Sequence, residues 1–213
     1  MPHGKMSGQI FISYRREDNP AWARLVHNRL SQHFSQSEIF MDVDTIEPGI
    51  DFVEAIEESV GSCDVLIAMI GAHWLSAVDP QGGRRLDNPE DSVRLEIATA
   101  LMRKIRVIPV LVDGAKMPVV RELPDDLRSL VRRNALELSH YRFQPDSERL
   151  IDAVERALEK ATAERREREE KERLAERLEA QRREKPGAFA ISRTSTRRFL
   201  SHVSTARYRK MAP

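Results

Sequence analysis

Apolar residues fall in short blocks along this chain, and the spacing inside successive blocks alternates between two kinds. Gln9-Ile-Phe-Ile-Ser-Tyr14 is a β-branched and aromatic run and predicts a strand. Asn19-Pro20 follows as a cap with proline in the first helical position, and Trp22, Leu25, Val26, Leu30 and Phe34 recur at helical spacing. Glu38 to Met41 predicts a second strand. Asp42 to Gly49 is a loop with three carboxylates and a turn signal. Asp51 and Glu54 resemble a capping box opening a helix, with Val53, Ile56 and Val60 on one face. Val65 to Ile70 is continuously apolar, as a parallel strand buried on both faces should be. Gly71 to Asp87 is polar, carries Gly82-Gly83, and reads as a mobile loop. Asn88-Pro89 repeats the cap-then-proline signal and opens a helix to about Lys104. Arg106 to Val112 is a fourth strand, Asp113 to Asp126 a loop region with two prolines, and Ala135 to Leu138 a short fifth strand. Pro145 then opens a helix whose stripe is Leu150, Ile151, Val154 and Leu158.

Strand and helix alternate, and the strands are apolar throughout. The pattern predicts an α/β fold: a flavodoxin-like, open five-stranded parallel sheet with helices on both faces. Three segments follow from the chemistry of the chain: a folded domain over residues 8–160, a charged helix or weak coiled coil over 161–185, and a basic, disordered tail over 186–213. From Glu164 to Lys185, 8 of 22 residues are acidic and 9 basic, and only Leu174 and Leu178 could form a seam. Pro186-Gly187 stops that helix. No internal repeat of domain-building length is present.

Charge separates the same segments. The formal net charge is +1, yet residues 186–213 hold six basic and no acidic residues, leaving 29 basic and 34 acidic residues before them. The body is therefore mildly acidic, and the basic excess is confined to the tail. Such a tail can meet anionic lipid or nucleic acid by counterion release, but its few rings, Phe199 and Tyr208 among them, form no aromatic-interleaved platform, so no specific nucleic-acid partner is expected. Cys63 is the only cysteine, which excludes an intrachain disulfide, and no Cys/His spacing suggests a metal site. The longest apolar runs, Val65 to Ile70 and Val107 to Val112, are too short to span a bilayer, and residues 1–9 hold no signal-peptide core. A cytoplasmic, soluble protein without a transmembrane segment is expected.

In a doubly wound sheet, ligands bind beyond the carboxyl ends of the strands where strand order reverses. The segments at that edge are Ser13 to Asp18, the Asp42 to Gly49 loop, and Gly71-Ala-His-Trp74. Arg15 and Arg16 can each hold a phosphate with two bonds, or can pair with Glu17 and Asp18 on the surface. Tyr14 and Trp74 can stack on rings. No Gly-x-Gly-x-x-Gly follows the first strand, and there is neither a Walker loop nor a Gly-x-Ser-x-Gly elbow. A phosphoacceptor domain would need acidic residues where Tyr14-Arg15-Arg16 and Ile70-Gly71 stand. On the helix after Asn88, Val93, Ile97, Ala100 and Leu101 form a stripe with Glu96 on its edge. Glu96 either faces a pocket, poised for chemistry at a sugar, or is a rim residue paired with Arg103.

Seven short motifs occur in order: Phe11-Ile-Ser-Tyr-Arg-Arg16, Phe40-Met-Asp-Val-Asp-Thr-Ile-Glu-Pro-Gly49, Ser62-Cys-Asp-Val-Leu66, Val93-Arg-Leu-Glu-Ile-Ala-Thr-Ala-Leu101, Val107-Ile-Pro-Val110, Leu123-Pro-Asp-Asp-Leu127 and Leu138-Ser-His140. Together, over roughly Gly8 to Leu158, the chain resembles a Toll/interleukin-receptor (TIR) domain of the bacterial kind, and it is similar to the TIR-domain NAD hydrolases. The resemblance implies the TIR fold, with Asp42 to Gly49 as a loop that gates the pocket and mediates homotypic TIR–TIR association. It implies cleavage of NAD, as substrate and without a cofactor or metal, to nicotinamide and ADP-ribose or a cyclic form, in signalling or defence. Glu96 inherits the catalytic role, and Tyr14, Arg15, Arg16, Asp42 and Glu47 match residues of the NAD site. Enzymatic members often have Trp four residues before the glutamate. Here that position is Ser92, so a stacking surface is absent unless Trp74 or Tyr14 supplies it. The competing reading is a non-catalytic TIR scaffold that works by self-association alone.

Overall fold

The computed structural model describes residues 8–41 and 49–184. Five strands, β1 (Ile10–Ser13), β2 (Ile39–Met41), β3 (Val65–Ile70), β4 (Arg106–Leu111) and β5 (Leu136–Glu137), pair in parallel in the order β2-β1-β3-β4-β5. Four helices accompany them: α1 (Pro20–Leu30), α2 (Phe52–Gly61), α3 (Ser92–Met102) and α4 (Phe143–Glu184). This is the flavodoxin-like sheet that the alternation predicts.

Successive strand side chains point to opposite faces, so each apolar strand feeds two cores. Ile10, Ile12, Val65, Ile67 and Met69 pack with Trp22, Val26 and Leu30 of α1 and with Leu150, Val154 and Leu158 of α4. Phe11, Leu66, Ala68 and Ile70 pack on the other face with Ile56 and Val60 of α2 and Val93, Ile97 and Ala100 of α3. Leu127 and Leu130, from the 3-10 segment Asp125–Arg132, complete that core. Each of the larger side chains, the alanines aside, contributes about 1.5–3 kcal/mol by leaving water. The helix after β1 and the helix after β3 thus lie on opposite faces, although the two strands are neighbours. Their exits diverge and leave a crevice at the carboxyl edge.

Local chemistry holds the exits in place. Pro20 occupies the first position of α1, but the Asn19 side chain does not cap that helix. With its amide oriented so that both neighbours are satisfied, it instead donates to the Arg15 carbonyl (3.3 Å) and accepts from the Gly71 N–H (3.2 Å), tying the end of β1 to the end of β3. Asp51 caps α2, its Oδ1 accepting from the N–H groups of Val53 (2.8 Å) and Glu54 (3.2 Å), which is the Asp51 half of the capping box that the sequence suggests.

Three expectations are corrected. Helix α3 starts at Ser92 rather than after Asn88. Asn88 Oδ1 is used in a turn, accepting from Glu90 N–H at 3.0 Å, while Asp91 caps the helix by accepting from Arg94 N–H at 3.0 Å. The segment from Gly71 to Asp87 is not an open loop: Trp74 and Leu86 are fully buried in the core. An antiparallel bridge joins Val78 to Arg84, and Asp79 Oδ1 closes the turn between them by accepting from Gln81 and Gly83 N–H. Gly82 has φ +86°, a conformation that suits glycine there. Finally, α4 begins at Phe143, before Pro145, after a 3-10 turn at His140–Arg142.

The chain divides into two units, Met1–Ala163 and Glu164–Pro213. In the latter, residues 164–184 are helical, and every residue with a described side chain is exposed, Leu174 and Leu178 included. The tail over 186–213 lies outside the described residues. No helix among the described residues is long and apolar enough to cross a membrane.

Candidate active site at the carboxyl edge of the sheet

Two adjoining cavities open at the crevice. The smaller, about 240 Å³, is lined by Ile12, Tyr14, Arg15, Arg16, Glu17, Phe52, Arg85, Ser92, Val93 and Glu96. The larger, about 760 Å³, shares Glu17, Phe52, Arg85 and Ser92 with it and extends past Asp18, His73, Asp79, Glu90 and Asp91. β1 delivers Tyr14 to Glu17 as it leaves the sheet, and α3 delivers Ser92 to Glu96 from its first turn. Both elements meet at Asp91, the cap of α3.

Asp91 is buried and organises this end of the sheet. Arg15 Nη1 and Nη2 donate to its two carboxylate oxygens, each at 2.9 Å. Arg85 Nε donates to Oδ2 at 3.0 Å, and Arg94 N–H to Oδ1 at 3.0 Å. Arg85 Nη1 in turn donates to Glu17 Oε1 at 3.0 Å. A buried ion pair of this kind needs good geometry and further hydrogen bonds to offset its desolvation, and Asp91 has both.

The structure brings together Tyr14, Arg15, Arg16, Ser92 and Glu96, five of the residues singled out from the sequence. Glu96 is only 4% exposed and still lines the smaller cavity, which favours the pocket-facing reading. Arg103 lies over Gly61 instead, where a Cβ would meet its Nη1 at 1.9 Å. Arg16 is exposed on the cavity wall.

Two residues sit differently from the expectation. Arg15 is 1% exposed and donates from both terminal nitrogens to Asp91, so its guanidinium braces the wall of the smaller cavity and is not held open toward solvent; its Nε–H has no partner among the described residues. Trp74 is 0% exposed, lies in the core between the sheet and α3, and lines neither cavity, so it presents no ring for stacking. Asp42 and Glu47 lie outside the described residues.

Three residues of the site escape a reading by sequence. Phe52 is 42% exposed and lines both cavities, the aromatic surface that Trp74 does not give. Its signal is weak but present: a large apolar residue directly after the Asp51 cap, off the stripe of Val53, Ile56 and Val60. Arg85 falls in a stretch that reads as loop and Asp91 in the first turn of the helix expected after Asn88, and nothing local marks either.

Asp18 shows how closely the two exits fit. Its Oδ1 accepts from His73 N–H at 2.9 Å, and a Cβ on Gly71 would stand 2.3 Å from its Oδ2. Gly71 is glycine because that carboxylate occupies the space. Cys63 is buried below α2; burial, aided by Asp64, pushes its thiol up to about 12, so it is an inert core residue and not a nucleophile. No group of three or more metal-ligating side chains occurs among the described residues.

A flavodoxin-like sheet with a buried glutamate at its switch-point crevice defines a class of fold and site. Residues 10–151 match the profile described as TIR domain, and the chain belongs to that family. It is similar to "NAD(+) hydrolase SARM1" of Danio rerio, 30% identical over 148 residues, which are 68% of this chain and 19% of that protein. It is likewise similar to "NAD(+) hydrolase sarm1" of Drosophila melanogaster, 29% identical over 154 residues, 70% of this chain and 10% of that one. The chain thus spans a fifth or less of the length of these relatives. Among solved structures, the TIR domains of an activated Roq1 resistosome match with a TM-score of 0.49 at 12% identity, covering 70% of this chain and 99% of that one.

Proposed function

We propose that this TIR domain is an NAD glycohydrolase that releases nicotinamide and leaves ADP-ribose, linear or cyclic, with Glu96 as its catalytic carboxylate. The observation that carries the reading is the position of Glu96: nearly buried, on the first turns of α3, in one cavity with Tyr14 and Arg16. The similarity to two NAD hydrolases over most of the domain supports it.

The chemistry follows from charge. Nicotinamide is cationic in the dinucleotide and departs as a neutral base, so positive charge develops on the ribose. A carboxylate held against that ribose stabilises the developing cation without reorganising, an effect worth roughly 10²–10³-fold or more. Water or an internal nucleophile of ADP-ribose then completes the transfer. Tyr14 and Phe52 supply ring surfaces on the wall where Ser92 has none, and Arg16 supplies positive charge at the mouth.

The alternative reading, a scaffold acting by homotypic TIR–TIR association, is favoured by Ser92, which lines both cavities with a small hydroxyl where enzymatic members often have a ring. Self-association belongs to both readings, and in the enzyme it switches activity on. Nicotinamide release from NAD, followed across protein concentrations, separates them. The enzyme releases nicotinamide once assembled, and Glu96→Ala does not; a scaffold releases none at any concentration.

A further inference from the structure

The smaller cavity, about 240 Å³, falls below the roughly 300–1,000 Å³ typical of small-molecule sites, whereas the larger one, about 760 Å³, adjoins it and shares a wall. A ligand with its reactive ribose at Glu96 and a further nucleoside beyond it has to cross that shared wall. Arg85 stands there, lining both cavities. Arg15 is 1% exposed with both terminal nitrogens on Asp91, and it lines the smaller cavity alone, so it does not stand at the junction as Arg85 does.

We infer that Arg85 is the pyrophosphate-binding residue of the dinucleotide, and that the larger cavity seats the adenosine half. This rests on the NAD reading above for the identity of the ligand. The side chain is built for the task in two ways. Its Nε is fixed to the buried Asp91 at 3.0 Å, which aims the guanidinium across the junction. Its Nη1 meets Glu17 at 3.0 Å, but the Glu17 side chain is 66% exposed. A pair this open contributes little, so exchanging Glu17 for the linking pyrophosphate, which carries one negative charge on each phosphate, costs little and brings two charges to Arg85 in place of one. Glu17 is then a competitor for Arg85 in the empty site and swings into solvent when the phosphates arrive. Asp91 is the positioning residue behind it.

The pair makes predictions of opposite sign. In the full chain, ADP-ribose binding measured by calorimetry weakens about tenfold or more in Arg85→Ala and strengthens in Glu17→Gln. Nicotinamide riboside, which lacks the pyrophosphate, binds Arg85→Ala and the unsubstituted protein alike. Arg85→Ala leaves Asp91 with both bonds to Arg15, so the fold persists, and thermal melting checks this; Glu17→Gln, at an exposed position, tests the same claim without touching the buried network. Equal ADP-ribose affinity in Arg85→Ala and the unsubstituted protein overturns the inference. So does an equal loss for both probes, which marks a structural role, and so does weaker ADP-ribose binding in Glu17→Gln. The two proposals fail separately. Binding of ADP-ribose through Arg85 without nicotinamide release from NAD removes the reaction and keeps this subsite. Nicotinamide release with an unchanged KM in Arg85→Ala removes the subsite and keeps the reaction.

Discussion

Two connections meet at the crevice, the exit of β1 through Tyr14-Arg15-Arg16 and the longer path from β3 to α3 through Gly71 to Asp91. The β1 exit advertises itself, because two adjacent arginines after an apolar strand suggest a ligand site. The β3-to-α3 path resembles filler, with glycines, prolines and scattered charge. In the fold they nearly exchange parts. Arg15 turns inward and becomes a strut, while the apparent filler buries Trp74 and Leu86 and sends Arg85 and Asp91 into the site. A residue's role here is set by the partner it finds across 76 positions of sequence, Arg15 with Asp91, and not by its neighbours.

That comparison can be broken at its joint. Asp91→Ala removes the acceptor of four hydrogen bonds and leaves the Arg15 guanidinium charged and buried with no counter-ion. The expected loss is about 3–5 kcal/mol, seen as a fall in Tm of roughly 10 °C by calorimetry. A loss no larger than that of an exposed surface variant would return Arg15 to the role of a ligand. Trp74→Phe is the next largest. It trims a ring inside the core and also removes an indole N–H that has no partner among the described residues. Stability falls by about 1–2 kcal/mol, and nicotinamide release at a fixed quantity of folded protein stays as it was. A rise in KM for NAD in this variant would restore Trp74 as a stacking residue. Gly71→Ala has the smallest effect. The new methyl displaces Asp18 from His73 N–H, for about 1 kcal/mol of stability, and amide exchange at His73 speeds up. Unchanged exchange there would show that the two exits are not coupled through Asp18.

Where the sequence could be read, the signal was local or periodic. Val65 to Ile70 matches β3 end to end because a strand buried on both faces is apolar at every position. The alternation of strand and helix leaves few topologies once crossovers are right-handed, so the sheet was legible, and its switch point with it. Boundaries were less so. Asn88-Pro89 and Asp91-Ser92 both have the residues of a helix start, and Asp91-Ser92 wins because Arg15 and Arg85 hold the Asp91 carboxylate where it can cap. Glu96 was legible because its place on the edge of an apolar stripe is a property of one helix. Arg85 and Phe52 were not, because each becomes a site residue only when β1, α2 and α3 converge.

The central claim is that the crevice cleaves NAD through Glu96. The most direct measurement is nicotinamide released from NAD by the unsubstituted chain and by Glu96→Gln, at protein concentrations high enough for self-association. Glu96→Gln keeps the side chain's size and removes its charge, so a carboxylate that stabilises a developing cation predicts release by the unsubstituted chain and a loss of about 10²-fold or more in the variant. Equal release by both, with both folded, would contradict the account.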